Sequence, residues 1–513
     1  MNFALAMDAF ESVKHAPTSS LLWQRLSALT HALQGEARAT LVNEIAALSF
    51  DARGAQWLRY SALAYLTGDP VWLVRQASLV DETTAPDAVM ALLGLAWHDA
   101  LVRTSESGAF VQSMKDINAP RLQDLLARRM SGQKREQGAR DLPVTPLRVA
   151  IYTPQVVSSR HGGTTFTLNV MSVLAREGLD LRTFSAQETN IPAVDSYHGG
   201  AESLTPVSVE AESLTLNAPG SFQLILPDTR FSLRLRFDQI LQAIDAYSPD
   251  VVIFVGFMSP LAFKFYEHYP VVGLSVHALP PVAPVDVWLS ADPQRSVVHW
   301  SGVPAPQIFP FSFRFWPAGQ ATPVDRSSID LPADATVLVT AGFRLSAEIT
   351  APWSERVLAF IEAHTDVHWL LIGGAEELSP AVLPQHPRIH RLPPQPRLET
   401  WLAMCDIYLN PPRIGGGGAL AMAMEQGLAV LTFANSDGGD KVGEQAINSD
   451  KEYFARLEAW VVDPMTRSQV GDALKVRFHD RLDFSGKESA VGLIQACQKA
   501  IELFNRRRVD SGA

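Results

Sequence analysis

Two kinds of hydrophobic spacing divide this chain. Up to about residue 130, apolar residues recur every three or four positions, the spacing of one face of a helix. Leu22, Leu26, Leu29 and Leu33 mark one such face, opened by Ser19–Ser20 as N-cap and closed before Gly35. The stretches Ala39–Leu48, Ala55–Leu66, Val71–Leu79, Asp87–Val102 and Arg121–Met130 read the same way. Trp23 and Trp57 stand 34 positions apart, the tetratricopeptide period, but no third match follows. An irregular helical bundle and a weak helical repeat therefore both stay open. The polar text SGQKREQGARDLPVTP (131–146) then reads as a linker ending in prolines.

From Leu147 the spacing changes to short continuous apolar runs, each followed by a helical pattern. Strands are predicted at 147–154, 249–257 and 270–278, with helices at 166–177 and 237–246. After a proline-spaced segment the theme repeats. Strands are predicted at 335–343, 368–375, 388–393, 406–412 and 428–434, and helices at about 352–364, 397–404, 418–426 and 440–447. Uninterrupted apolar strands alternating with helices mean parallel sheets covered on both faces. The expected fold is α/β, with two Rossmann-like domains (147–320 and 325–513) preceded by an all-helical domain (1–140). An amphipathic final helix at about 486–506 has to pack back onto one of the sheets. The RRR at 506–508 reads as a solvated helix end.

Composition narrows the class. With 43 basic and 54 acidic residues, a net charge of −11, the chain lacks the basic surface of a nucleic-acid or membrane-surface binder. Cys405 and Cys497 are too few for a disulfide framework, which fits a reducing compartment. No basic-then-apolar leader opens the chain and no run of about 18 apolar residues occurs, so neither a signal peptide nor an integral membrane segment is read and the expected location is cytoplasmic.

Three segments carry candidate chemistry. In HGGTTFTLNVMSVLAREG (161–178), Gly162 and Gly163 permit close backbone approach, and Thr164 and Thr165 can cap the helix that follows. In NPPRIGGGGALAMAMEQGLAV (410–430), four glycines, Gly415, Gly416, Gly417 and Gly418, follow a strand and open a small-residue helix. Bare amides at such a start attract an anion and suit a diphosphate. No Gly-Lys-Ser/Thr follows and the glycines do not fit the dinucleotide spacing, so neither of those fingerprints applies. In TAGFRLSAEIT (340–350), Arg344 stands where a strand meets its loop, placed either to clamp phosphate oxygens or to pair with Glu348 on the surface.

In this order and position the three segments resemble the GT-B glycosyltransferases, especially the large retaining family of bacterial mannosyl- and glucosyltransferases. The pattern covers about residues 147–505 and is specific over 388–443. The resemblance implies a metal-independent hexosyltransferase that needs no cofactor and uses a nucleotide sugar, with uridine the prior for the base, as co-substrate. It implies that Gly162, Gly163 and Thr164 face the donor phosphates and acceptor, and that Arg344 and Gly415–Gly418 hold the diphosphate. Leu392 and Pro393 would lie at the base, His277 beside the donor sugar, and Asp440 in a loop (435–443) closing over the phosphates. The family's paired acids fall on Ile414 and Met422, so Glu425, one turn on, is expected to take the ribose, and the family's lysine falls on Ile349. If the reaction inverts configuration it needs a base, for which His161 and His277 are the candidates.

The acceptor is expected to be a protein or a glycan. The helical domain is expected either to bind a polypeptide acceptor or to buttress its neighbour and join identical subunits into a homo-oligomer. The missing acids keep open a catalytically inactive partner or chaperone subunit, and a sugar-nucleotide epimerase is a third class on the same fold.

Overall fold

The computed structural model describes residues 2–103, 107–131, 146–159, 161–191, 208–217, 222–275, 279–291, 298–374, 378–414, 417–436 and 438–510. Helices alone fill the N-terminal region among these residues, from Asn2–His15 to Ala119–Arg128. Ser19 caps the second of them, its hydroxyl accepting the Leu22 amide at 3.4 Å.

The strands are β1 (Arg148–Tyr152), β2 (Asp180–Phe184), β3 (Leu224–Ile225), β4 (Val251–Val255), β5 (Val271–Leu274), β6 (Val287–Ser290), β7 (Gln307–Pro310), β8 (Thr336–Gly342), β9 (Val367–Gly373), β10 (Ile389–Leu392), β11 (Ile407–Leu409) and β12 (Ala429–Leu431). They form two sheets in the orders β3-β2-β1-β4-β5-β6-β7 and β10-β9-β8-β11-β12, every described pairing parallel. The fold is thus α/β with two Rossmann-like units behind a helical region. At the crowded end of the second sheet Gly373 has φ +110°, and a Cβ there would lie 2.1 Å from the Gly342 carbonyl oxygen. Only glycine fits that approach.

Alternate residues of each strand feed opposite cores. Val149 and Ile151 of β1 face one way, Ala150 and Tyr152 the other. The core behind Ala150 and Tyr152 runs without a break into the helical region, where it includes Phe10, Trp23, Leu63 and Phe110. Phe110 meets Phe257 at 5.5 Å between ring centres, and Gln123 Nε2 donates to the Val282 carbonyl at 2.7 Å. The helical region therefore buttresses the first unit through a shared core.

The opposite face of the first sheet is covered by the last helix, Lys487–Asp510, through Leu493, Ala496, Cys497, Ala500 and Ile501. Its end is solvated at Arg506, as the sequence suggested, but Arg507 turns inward. Arg507 donates to the buried Asp286 at 2.9 Å and to the Tyr269 carbonyl at 3.1 Å, and its guanidinium lies 3.8 Å from the Tyr266 ring centre. Burial raises the Asp286 pKa, and Arg507 opposes that shift. Loss of one partner of such a buried pair costs about 3–5 kcal/mol.

The chain passes between the units twice, and the two passages run side by side. The Arg314 and Phe315 amides both donate to the Leu482 carbonyl, at 3.0 and 2.9 Å, and the Phe484 amide donates to Phe315 at 2.7 Å.

Candidate active site

In each sheet the strand order reverses direction beside its first strand, between β1 and β4 and between β8 and β11. Loops diverge there and leave a crevice at the carboxyl edge. The segments after β1, β8 and β11 all open on one cleft of about 650 Å³. Arg314, Phe315 and Trp316 of the first passage line it, and Trp97 and Leu101 reach it from the helical region.

On the first unit's side the cleft meets the start of helix Gly162–Arg176. The cap is His161 and not the threonines that follow. His161 Nδ1 accepts the Thr164 amide at 3.3 Å and lies 2.9 Å from Thr164 Oγ1, which itself accepts the Val157 amide at 3.0 Å. Thr165 turns its hydroxyl to the Ser159 carbonyl at 2.8 Å. With Nδ1 accepting, the ring proton resides on Nε2. Burial lowers the His161 pKa, so the ring stays neutral. In this tautomer it presents Nε2–H as a hydrogen-bond donor toward the cleft. Gly162 and Thr165 line the cleft, whereas Gly163 packs on the His161 ring and Thr164 is fully buried.

On the second unit's side Arg344 lines the cleft and donates to Glu348 Oε1 through Nε (3.0 Å) and Nη2 (2.8 Å). The arginine is thus paired with Glu348 and also faces the cleft. Glu348 is itself buried, and its other oxygen accepts from Arg413 Nη1 at 2.5 Å. Arg413 is fixed further by Asn410 Oδ1 at 2.8 Å and the Ala341 carbonyl at 3.0 Å. One carboxylate shared by two guanidiniums leaves this cluster one positive charge in excess.

Helix Gly417–Glu425 begins at the same wall, with Gly417 and Gly418 lining the cleft. Gly415 and Gly416 lie outside the described residues. A Cβ on Gly417 would fall 2.8 Å from Lys441 Cε and 3.1 Å from its Nζ, so the glycine makes room for a lysine. Lys441 lines the cleft and pairs with the buried Asp440 at 3.0 Å. Arg477 holds that loop from outside, donating to the Lys441 carbonyl at 2.6 Å and the Asp440 carbonyl at 3.1 Å. The loop carrying Asp440 thus supplies a cation, and Asp440 itself serves as that cation's counter-ion.

Other expectations shift. Glu425 lines the cleft, but its oxygens accept the Ala318 and Gly319 amides at 3.1 and 2.7 Å. Burial raises its pKa, and those amides oppose the shift. Its carboxylate fastens the segment joining the units. Leu392 packs in the second unit and Pro393 is exposed, whereas the next residues, Pro394 and Gln395, line the cleft. Met422 lines it too, and Ile414 is buried. His277 lies outside the described residues.

Lys441, Arg413 and Arg314 were missed from the sequence. Lys441 had a signal, its place in the loop 435–443, and Arg413 directly precedes the glycine run in sequence, at NPPRIGGGG. Arg314 had none, because only the paired passages bring it to the cleft.

No protein-family model matches the chain, and no characterised protein matches it by sequence. Paired Rossmann-like units closing on a cleft between their carboxyl edges define a GT-B glycosyltransferase-like fold. Among solved structures the chain is similar to an O-GlcNAc transferase of Thermobaculum terrenum, a lysine-to-methionine variant. That likeness has a TM-score of 0.56 at 14% identity and covers 99% of this chain and 98% of the other. It therefore includes the helical region. A putative UDP-N-acetylglucosamine 2-epimerase of Listeria monocytogenes follows at TM-score 0.43 and 14% identity, over 69% of this chain and 96% of that one. A spinosyn rhamnosyltransferase complexed with thymidine diphosphate follows at 0.39 and 14%, over 66% and 98%. The first of these carries the fold assignment.

Proposed function

We propose that this chain is a glycosyltransferase that moves a sugar from a nucleoside-diphosphate sugar to an acceptor on a protein. The observation that supports it is the meeting, in one cleft, of the Gly417 helix start, Lys441 and Arg344 from the second unit with His161 and Gly162 from the first. In the transfer the bond from the anomeric carbon to the diphosphate oxygen breaks, and the electron pair leaves with the diphosphate. The acceptor oxygen bonds to that carbon, and its proton passes to an oxygen of the departing diphosphate. The leaving group gains charge, which preset cations and helix amides stabilise without reorganising. His161 Nε2–H adds one neutral donor from the opposite wall. The protein acceptor is favoured by the full-length likeness to an O-GlcNAc transferase and by Trp97 and Leu101, which bring the helical region to the cleft mouth.

The test is a screen of nucleotide sugars for diphosphate release, with and without chelator, followed by mass analysis of co-expressed proteins. Release from one donor together with a matching mass increment on a protein is the expected result. The positions of the family's acids, now Ile414 and Met422, favour a second reading as a non-catalytic partner subunit. Absence of binding to every donor in calorimetry would select that reading. Donor turnover without any acceptor would instead indicate an epimerase.

A further inference from the structure

Arg314 is a buried cation with no counter-ion among the described residues. It is 4% exposed and lines the cleft. Its backbone is held on both sides, the amide donating to Leu482 at 3.0 Å and the carbonyl accepting from Asn169 Nδ2 at 3.4 Å. Its side chain has no such anchor. Nε is fully enclosed and finds no acceptor, and among the described residues the guanidinium makes no hydrogen bond, ion pair or ring contact.

The other cations of the cleft differ. Arg344 and Arg413 share Glu348, and Lys441 pairs with Asp440. An enclosed guanidinium without such a partner is strongly disfavoured, because the lost hydration is not replaced. A purely structural role leaves this unexplained, since an apolar side chain would fill the same space without that penalty.

Its location says which anion completes the pair. The next residue, Phe315, lies 4.0 Å from the position a Cβ on Gly418 would take, and its ring sits 5.9 Å from that of Phe166. Arg314 thus lines the same cleft as the starts of the Gly417–Glu425 and Gly162–Arg176 helices, beside a residue that lies between them. We infer that Arg314 binds the diphosphate of the donor, its planar fork gripping phosphate oxygens from the hinge side of the cleft. This rests on the glycosyltransferase reading and adds to it a buried arginine that no carboxylate among the described residues pairs.

The experiment is calorimetry on the full chain with uridine diphosphate and, separately, inorganic pyrophosphate, for wild type, Arg314→Met and Arg314→Lys. Loss of a charged, bidentate contact predicts that Arg314→Met weakens both ligands by about 30-fold or more, with Arg314→Lys between. Without ligand, Arg314→Met should melt no lower than wild type, because an unpaired charge has been removed. Wild-type affinity of Arg314→Met for both ligands overturns the inference and spares the glycosyltransferase reading. Pyrophosphate binding that depends on Arg314, without any nucleoside-diphosphate binding, sustains the anion site and removes the donor reading. Failure of wild type to bind either ligand overturns both.

Discussion

Each Rossmann unit buries a glutamate near the carboxyl edge of its sheet, and the two are satisfied in opposite ways. Glu188, just beyond β2, accepts from the hydroxyls of Tyr152 and Ser259, the latter at 2.5 Å, and its second oxygen has no partner among the described residues. Burial raises its pKa to about 7. Glu348, just beyond β8, sits between Arg344 and Arg413. The first belongs to an edge that shares its core with the helical region, the second to an edge that opens on the cleft. At the open edge guanidiniums satisfy the carboxylate, whereas at the sealed edge hydroxyls do so and burial favours the protonated acid.

The largest effect that would sharpen this contrast is expected at Lys441. Removing the lysine alone would strand the buried Asp440, so Asp440→Asn with Lys441→Met is the suitable pair. Loss of a preset cation facing the leaving group should cut the rate of diphosphate release by about 10²–10³-fold. Release at the wild-type rate from a folded double variant would break the claim that the open edge carries the charge stabilisation.

Glu188 tests the sealed edge. An acid whose pKa is raised from 4.5 to about 7 on folding holds its proton more tightly in the native state. Stability should therefore fall as pH climbs through that window and level off above it, by about 3 kcal/mol in all. Glu188→Gln should flatten this slope and melt higher than wild type at pH 8. Denaturant titrations at several pH values decide the matter, and equal slopes for the two proteins would refute a protonated Glu188.

The smallest effect concerns His161, which both caps a helix and presents Nε2–H. His161→Ala should lose about 1 kcal/mol of stability with the cap. His161→Asn keeps a capping oxygen and should recover that loss, while donor turnover stays depressed in both. Recovery of turnover by asparagine would reduce His161 to a structural cap.

Much of the second unit was legible in the sequence because β8 and β9 are buried along nearly their whole length and so read as unbroken apolar runs. In the first unit β2, with the burial pattern exposed, half-buried, half-buried, buried, buried over DLRTF, gives no such run, and β3 is only two residues long. The helices Asp450–Val462 and Pro464–Arg481 also escaped notice, each burying only a narrow stripe. At the site, the glycine helix and Arg344 could be read because their chemistry is local. Arg314 acquires its place from a partner far along the chain, Leu482, and spacing carries no trace of such a meeting.

The final helix has a consequence for how the molecule is made. Leu493, Ala496, Cys497, Ala500 and Ile501 cover a face of a sheet whose first strand begins at Arg148. Helix Gly162–Arg176 covers part of that face early, through Val170, Met171 and Leu174, but on the ribosome the part beneath the final helix waits until more than 300 further residues have been polymerised. The second unit, whose strands and helices are contiguous, can complete itself while the first still waits. A nascent chain halted anywhere before Lys487 would display a bare apolar surface, and for that interval it is a natural client for holding chaperones.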